Sequence, residues 1–320
     1  MIKTEMIVIE DPDTLGKVCG ANDRNLKQLE SLLGSKIYTR GNEIHLSSDN
    51  GKIYHIFESI LNDLLFSVKR NRIPDAYMID TLFQAYGDEQ SSMGSMDFLE
   101  NELNIPGGSG RIRARNLNQA RYLSQMQSHD LSFGIGPAGT GKTFLAVAFA
   151  LNEILNRRYR KLILSRPVVE AGESLGFLPG DLTQKLDPYL KPLFDAMEEL
   201  LTASAFQKMQ EMNLYEISPL AYMRGRSLKN CIIVLDEAQN TTREQMKMFL
   251  TRMGVGSRAI ITGDLTQIDL PNKEKSGLLE AERLLKDVEG IGFSSFKRGD
   301  VVRHHLVSKI LEAYEQEHTS

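Results

Sequence analysis

The residues with the clearest chemical pattern form one short segment near the middle of the chain. Eight consecutive residues match G-x-x-x-x-G-K-[ST] in full, namely Gly136, Pro137, Ala138, Gly139, Thr140, Gly141, Lys142 and Thr143. Glycines in this pattern let the backbone wrap around a phosphate, which then faces successive N–H groups and a helix N-terminus. Lys142 would reach the β- and γ-phosphates, and the Thr143 hydroxyl would bind Mg²⁺. The segment therefore predicts a nucleotide-binding site rather than an ordinary glycine-rich turn.

Two carboxylates follow an apolar run later in the chain. Ile232–Leu235 leads directly into Asp236 and Glu237. A buried strand would place both acids at the carboxyl edge of a parallel sheet, where ligands bind in such folds. Asp236 would hold Mg²⁺ through water, and Glu237 would orient the attacking water as general base. The same two acids could cap a helix, but the complete phosphate-binding segment favours the catalytic interpretation.

A third polar segment follows another apolar run. Ala259–Ile261 leads into Thr262, Gly263 and Asp264, and Gln267 lies three residues further on. If this strand lies beside the strand that carries the carboxylates, Gln267 would contact the γ-phosphate or the attacking water. A Gly-Asp turn without a catalytic role fits the same residues, and the spacing does not separate the two interpretations.

These three segments need a scaffold that brings the ends of separate strands together. After residue 112, short apolar runs alternate with stretches of helical periodicity, which is typical of an α/β fold with a parallel sheet flanked by helices. The predicted strands are Leu131–Ile135, Leu162–Leu164, Cys231–Leu235 and Ala259–Ile261. The predicted helices cover Thr143–Asn156, residues 183–211, Arg243–Met253, Gly277–Val288 and Arg303–Glu317.

A smaller module with a different pattern precedes this domain. Its predicted elements are a strand at Met6–Ile9, a helix at Arg24–Leu33, a hairpin of Lys36–Thr39 with Glu43–Leu46, and a helical tract at Ile53–Leu65. A stretch rich in glycine, serine and acidic residues follows, and such a composition is typical of a linker. We therefore expect a small α+β module at 1–87, a linker at 88–111 and a P-loop domain at 112–320.

Composition and charge exclude several classes of protein. The 320 residues are 41% hydrophobic and 25% charged, which excludes a collagen-like or wholly disordered chain. A net charge of −4 excludes a uniformly basic nucleic-acid coat but not a local basic surface. The two cysteines, Cys19 and Cys231, do not provide a disulfide framework, and no apolar run approaches the roughly 20 residues of a membrane span. We therefore expect a cytoplasmic protein without a membrane partner.

Five segments together resemble the PhoH-like family of ATPases across nearly the whole chain. They are, in order, GPAGTGKT, SRPVVEAGESLGFLPGD, LDEAQN, TGDLTQID and DVVRH, of which the second and last are the most specific in combination. TGDLTQ also resembles motif III of superfamily 1 helicases. The resemblance implies a RecA-like core that uses ATP and Mg²⁺. Because the chain has room for one such core, we expect a homo-oligomer, with a hexameric ring as one form, in which neighbours complete each site.

Three further positions take roles that the resemblance implies. Gln119, in ARNLNQARYL, would read the adenine, although a surface helix explains this residue equally well. Arg303, in DVVRH, would act as an arginine finger in its own site or a neighbour's, unless it caps the last helix. Arg166 would lie near nucleotide or nucleic acid, and Glu173 and Gly176 complete its family segment.

The N-terminal module resembles a divergent KH-type RNA-binding fold. Gly20 to Asp23 precede the leucine-rich helix, where a KH domain carries its backbone-clamping G-x-x-G loop, but the second glycine is missing. A close clamp on the RNA backbone is therefore not expected. A module that mediates assembly rather than RNA binding fits the same residues. The candidate phosphate contacts are Arg24, Lys27, Arg40, Lys69, Arg70 and Arg72.

Two functions of different classes are compatible with these residues. The first is Mg²⁺-dependent ATP hydrolysis coupled to binding or remodelling of single-stranded RNA, as in an RNA helicase. The second is an ATP-switched binding module that recruits or regulates a partner ribonuclease, a partner that the family resemblance implies, without unwinding RNA. Catalysis would rest on Lys142, Glu237, Gln267 and Arg303. A phosphotransferase is disfavoured, because no residues that would bind a small-molecule acceptor are identifiable.

Overall fold

The chain folds into two compact units in the computed structural model, which describes residues 4–87, 102–108, 110–168 and 182–301. One unit is formed within Met1–Glu102 and Arg113–Arg121, and the other within Leu103–Ile112 and Tyr122–Ser320. Residues 113–121, which we expected in the P-loop domain, thus group with the N-terminal module. Four predictions lie outside the described residues, namely those for Glu173, Gly176, Arg303 and the helix Arg303–Glu317.

The part of the first unit that precedes residue 88 is built on a three-stranded antiparallel sheet. Its elements are β1 (Thr4–Val8), α1 (Pro12–Cys19), α2 (Arg24–Leu33), β2 (Lys36–Arg40), β3 (Glu43–Ser47), α3 (Gly51–Lys69) and α4 (Ala76–Gly87). The strands lie in the order β1-β3-β2. A core that includes Leu29, Ile44, Phe57 and Leu61 joins the helices to the sheet.

The predicted helix, hairpin and helical tract of this unit are present, whereas α1 and α4 were not foreseen from the sequence. α1 buries only Val18 and Cys19, so its apolar periodicity is weak. Its start is set locally, because the Asp11 carboxylate accepts a 2.9 Å hydrogen bond from the Thr14 N–H and Pro12 occupies the first helical turn.

The second sheet is larger and parallel. The remaining strands and helices are β4 (Glu102–Asn104), β5 (Arg111–Arg113), α5 (Leu117–Ser128), β6 (Leu131–Ile135), α6 (Lys142–Leu155), β7 (Lys161–Arg166), α7 (Leu182–Leu200), α8 (Ala203–Glu211), β8 (Tyr215–Pro219), β9 (Cys231–Leu235), α9 (Arg243–Leu250), β10 (Arg258–Gly263), α10 (Gly277–Leu285) and β11 (Ile291–Ser295). Six strands form one parallel sheet in the order β11-β6-β10-β9-β7-β8. The predicted α/β fold is therefore confirmed, and it is consistent with a RecA-like P-loop core.

The sequence pattern finds the inner strands of this sheet but not its edges. β8 and β11, with the sequences YEISP and IGFSS, are the two outermost strands and are only partly buried. The helical tract predicted over 183–211 is present as two helices, because Thr202 accepts a hydrogen bond from the Ala205 N–H and begins α8. β4 also lies inside the stretch predicted to be a linker. Among the described helices, none is both long enough and apolar enough to cross a membrane.

The strand order places the three polar segments at the same edge of the sheet. β6, β10 and β9 are parallel neighbours, so their carboxyl ends reach the same edge of the sheet. The phosphate-binding segment follows β6, Asp264 follows β10, and Asp236 with Glu237 follows β9. The three polar segments therefore converge at one edge, as their positions after strands predict.

Candidate functional site

The segment from Gly136 to Thr143 leads from β6 directly into the N-terminus of α6. Gly136 passes so close to another segment that a Cβ atom there would lie 2.5 Å from the carbonyl oxygen of Phe296. Gly141 precedes α6 with a φ of 83°, a conformation that favours glycine. The Gly136 N–H also donates a 3.1 Å hydrogen bond to the Gly263 carbonyl on β10. The loop is thus fixed at the positive end of α6, where an anion is stabilised.

Lys142 is folded against the loop that precedes it. Its Nζ donates hydrogen bonds of 2.7 Å to the carbonyl oxygens of both Gly136 and Pro137, and a third of 3.3 Å to the Thr140 hydroxyl. Only 7% of the residue is exposed. The ammonium group therefore lies inside the loop, within the reach that a contact to bound phosphate needs.

Thr143 and Asp236 form the part of the site that can hold a metal ion. The Thr143 hydroxyl donates a 2.7 Å hydrogen bond to Oδ1 of Asp236, and the Thr262 hydroxyl donates to the same oxygen at 2.6 Å. Asp236 is 5% exposed. A hydroxyl and a carboxylate at this distance suit Mg²⁺, which binds one or two protein oxygens and completes its shell with water and phosphate. Within the described residues, no cluster of three or more His, Cys, Asp or Glu side chains offers an all-protein cage.

Glu237 adopts an unusual backbone conformation beside this pair. Its φ is 53°, in the left-handed region that non-glycine residues rarely occupy, and such outliers concentrate at functional sites. Its Oε1 lies 3.0 Å from Nη2 of Arg166, and its Oε2 accepts a hydrogen bond from the Gln239 amide. The side chain thus projects from the end of β9 with both oxygens in contact with donors.

Asp264 connects the phosphate-binding loop to the end of β10. Its Oδ2 accepts hydrogen bonds from the Ala138 N–H at 3.0 Å and from the Gln267 amide at 2.5 Å, and its Oδ1 accepts from the N–H and hydroxyl of Thr266. Burial raises the pKa of Asp264, but the hydrogen bonds from Thr266 and Gln267 and the charge of Lys142 together keep that pKa below its ordinary value. The carboxylate is therefore ionised at neutral pH.

One cavity of about 250 Å³ joins these groups. It is lined by Ala138, Gly139, Gly141, Lys142, Thr143, Phe144, Asp236, Glu237, Gly263, Asp264 and Gln267. A cavity with a helix N-terminus and a lysine on one side, and carboxylates beside a hydroxyl on the other, can bind a phosphate chain together with a cation.

The structure brings together most of the residues singled out from the sequence. Gln267 lies at the cavity, where its amide contacts Asp264, whereas Gln119 belongs to the first unit. There its Oε1 accepts a 2.7 Å hydrogen bond from the Arg115 N–H, and its role in reading adenine stays a prediction. From the sequence, Thr262 and Asp264 belong only to a polar group that could sense the γ-phosphate, without individual roles, and Gln239 has no predicted role. The position of each just before or after a predicted strand end is the signal that could have identified them.

Known proteins resemble this chain over most of its length. The model for the family described as PhoH-like protein matches residues 111–315. A PhoH-like protein of Bacillus subtilis (strain 168) is 46% identical over 310 residues, which cover 97% of this chain and 96% of the relative. A PhoH-like protein of Synechocystis sp. is 43% identical over 322 residues, 99% of this chain and 96% of the relative. Protein PhoH of Escherichia coli (strain K12) is 43% identical over 205 residues, 63% of this chain and 58% of its own length. The chain therefore belongs to the PhoH-like family.

Proposed function

We propose that this protein is a Mg²⁺-dependent ATPase whose hydrolysis is coupled to the binding or remodelling of single-stranded RNA. The proposal of ATPase activity rests on one observation, namely that one cavity is lined by Lys142, the Thr143–Asp236 pair and Glu237. Membership of the PhoH-like family supports the same reaction, because its members resemble P-loop ATPases.

Binding of the phosphate chain would rest on the loop and its lysine. The Lys142 ammonium would exchange its contacts with the Gly136 and Pro137 carbonyls for the β- and γ-phosphate oxygens. Thr143 and Asp236 would hold Mg²⁺, which neutralises charge on the phosphates. Asp264 would keep the loop in place through its hydrogen bond with the Ala138 N–H.

Hydrolysis would rest on Glu237. Its carboxylate would accept a proton from a water molecule as the water oxygen bonds to the γ-phosphorus. The bond between that phosphorus and the bridging oxygen breaks, and ADP leaves with the electron pair. Gln267, at the same cavity, would orient the water or contact the γ-phosphate. Arg303 would stabilise charge on the γ-phosphoryl group, in its own subunit or a neighbour's.

The proposal of RNA binding rests on features of the first unit. Arg24, Lys27 and Arg40 are exposed there. The turn between α1 and α2 lies where the resemblance to a KH-type fold places the loop that contacts the RNA backbone. At its end Asp23 adopts a φ of 58°, so it takes a left-handed conformation that a second glycine would supply. Because the Asp23 side chain occupies space that a glycine would leave open to the RNA backbone, we propose contacts from basic side chains to RNA phosphates rather than a close backbone clamp.

A hydrolysis assay with and without single-stranded RNA tests this function. We expect ATP hydrolysis that requires Mg²⁺ and accelerates with RNA, and a molar mass in the same samples that reports a homo-oligomer. ATP-driven strand separation would identify a helicase. A slow rate of hydrolysis that RNA does not change, together with ATP-dependent binding of a ribonuclease, would instead identify a nucleotide-controlled recruitment module.

A further inference from the structure

Glu237 is held by an arginine from the neighbouring strand. Arg166 is the last residue of β7, which pairs with β9 immediately before Asp236 and Glu237. Its Nη2 lies 3.0 Å from Oε1 of Glu237, while its Nη1 donates a 3.2 Å hydrogen bond to the Tyr189 carbonyl. The guanidinium is thus anchored on α7 and directs the Glu237 carboxylate toward β7.

The second oxygen of Glu237 is also restrained. The Gln239 amide donates to Oε2, and the Oε1 of Gln239 accepts a 3.0 Å hydrogen bond from the Asp264 N–H. Gln239 is 1% exposed, so it cannot turn away readily. A carboxylate that contacts donors on both oxygens is poorly placed to turn toward a water molecule and accept its proton. Release of the Arg166 contact would free the oxygen on the β7 side.

Arg166 and Glu237 differ in their position relative to the cavity. Glu237 lines the cavity, whereas Arg166 is not among the described residues that line it. A γ-phosphate in the cavity would therefore meet Glu237 before it met Arg166. The side chain of Arg166 is 21% exposed, and that of Glu237 is 35% exposed. Among the described residues, Arg166 thus lies behind Glu237 as seen from the cavity lining, with part of its side chain accessible.

We propose that Arg166 is a positioning residue that restrains Glu237, and that a phosphodiester group of single-stranded RNA releases the restraint by taking over the guanidinium. A guanidinium pairs with a phosphate through two parallel N–H donors, so the exchange replaces one charged partner with another of equal or better geometry. RNA would then accelerate hydrolysis by freeing the general base. This inference rests on the proposed ATPase function and names how RNA would act on it.

The test compares basal and RNA-stimulated hydrolysis in variants of the full-length protein. Arg166→Ala should raise the basal kcat roughly tenfold, the factor that corresponds to about 1.4 kcal/mol, with little change in the KM for ATP. A 20-nucleotide single-stranded RNA should no longer accelerate this variant. Arg166→Lys, which keeps the charge but loses the two-donor geometry, should give an intermediate basal kcat. Arg243→Ala is the matched control, because Arg243 also contacts one carboxylate, that of Glu280, and one backbone carbonyl, that of Glu274.

Three outcomes separate the possibilities. A basal kcat of Arg166→Ala below that of the wild type, with RNA stimulation of both proteins intact, would overturn the restraint. A raised basal kcat of Arg166→Ala, together with wild-type hydrolysis that RNA does not accelerate, would support the restraint. The same result would overturn RNA as the releasing ligand. No hydrolysis by the wild type in either condition would refute the proposed ATPase, and the restraint with it. Melting temperatures of all variants, and their affinity for a fluorescent ATP analogue, distinguish these results from a failure to fold.

Discussion

The Thr143 hydroxyl donates a 2.7 Å hydrogen bond to Oδ1 of Asp236, although the two residues are 93 positions apart in the sequence. Thr143 lies in the first turn of α6, and Asp236 follows β9. Only β10 lies between β6 and β9 in the sheet, and all three strands end at the same edge. The residues that follow β6 and β9 are therefore close enough to make this contact. The hydroxyl and the carboxylate thus come from two motifs that the sequence presents separately.

Asp236→Asn should impair hydrolysis more than nucleotide binding. The amide that replaces the carboxylate is neutral and a weaker ligand for Mg²⁺, so the negative charge that balances the charge of the metal is lost. We expect kcat to fall by roughly 100-fold or more, with a higher Mg²⁺ concentration needed for half-maximal rate. Asp130→Asn changes an exposed carboxylate before β6 and serves as the control. An unchanged Mg²⁺ dependence in Asp236→Asn would argue against its role in holding the metal.

Asp264→Asn should destabilise the protein in a manner that depends on pH. In either orientation of the Asn amide, its NH2 group would face a backbone N–H, that of Ala138 or that of Thr266, and a buried hydrogen bond lost in this way costs about 1–3 kcal/mol. The folded-state pKa of Asp264 lies below its unfolded value, so the carboxylate contributes stability above the unfolded pKa and loses it as pH falls through the folded pKa. Denaturant unfolding should therefore show a large difference from wild type at pH 7 that narrows below about pH 4. A difference that stays constant with pH would contradict the assigned hydrogen bonds.

Gly134→Ala should destabilise the P-loop unit by crowding a buried ring. A Cβ atom at Gly134 on β6 would lie 2.7 Å from Cζ of Tyr122, which is fully buried and packs edge-to-face on Phe296. Overpacking of this kind costs about 1–3 kcal/mol in the free energy of unfolding. Gly299→Ala, where a Cβ meets no atom within 4 Å, is the matched control and should leave the melting temperature close to wild type. Equal melting temperatures for both variants would show that Tyr122 can move aside.

Both cysteines should react slowly with thiol reagents in the folded protein. Burial, with a smaller contribution from Asp23, raises the pKa of the Cys19 thiol to about 11, and burial also raises the pKa of Cys231. Because the thiolate is the reactive form, alkylation of Cys19 by iodoacetamide at pH 8 should be roughly 100-fold slower than in guanidinium chloride, and alkylation of Cys231 should also be slower. Immediate modification of two thiols in the native protein would contradict the burial of these side chains.

In the six-stranded sheet, the sequence predicts the strands that are buried on both faces and misses the two edge strands. β6 and β9 read as apolar runs because neighbouring strands and helices cover them, whereas the edge strands β8 and β11 carry exposed and polar positions. α1 was missed for a similar reason, because it buries only two residues. The division at 112 rests on composition, which does not report where Arg113–Arg121 pack.

The candidate site is predictable where the chemistry lies in consecutive residues. Lys142 and Thr143 belong to one motif, and Asp236 with Glu237 to another, so the residue pattern alone is enough to identify both pairs. The contact of Arg166 with Glu237 depends instead on β7 lying beside β9, and a strand order is not written in the spacing of either segment. The link from Asp264 to Ala138 crosses 126 positions and is equally invisible in a linear pattern.

The most direct test of the site is the rate of phosphate release by Glu237→Gln, measured on samples whose affinity for a fluorescent ATP analogue is determined in parallel. Glutamine retains the shape of the side chain but cannot accept the proton of the attacking water. We expect nucleotide affinity close to that of the wild type and a kcat lower by roughly 10²- to 10⁴-fold, the usual contribution of a general base. Hydrolysis by Glu237→Gln at the wild-type rate would contradict the assignment of Glu237 as the group that activates water.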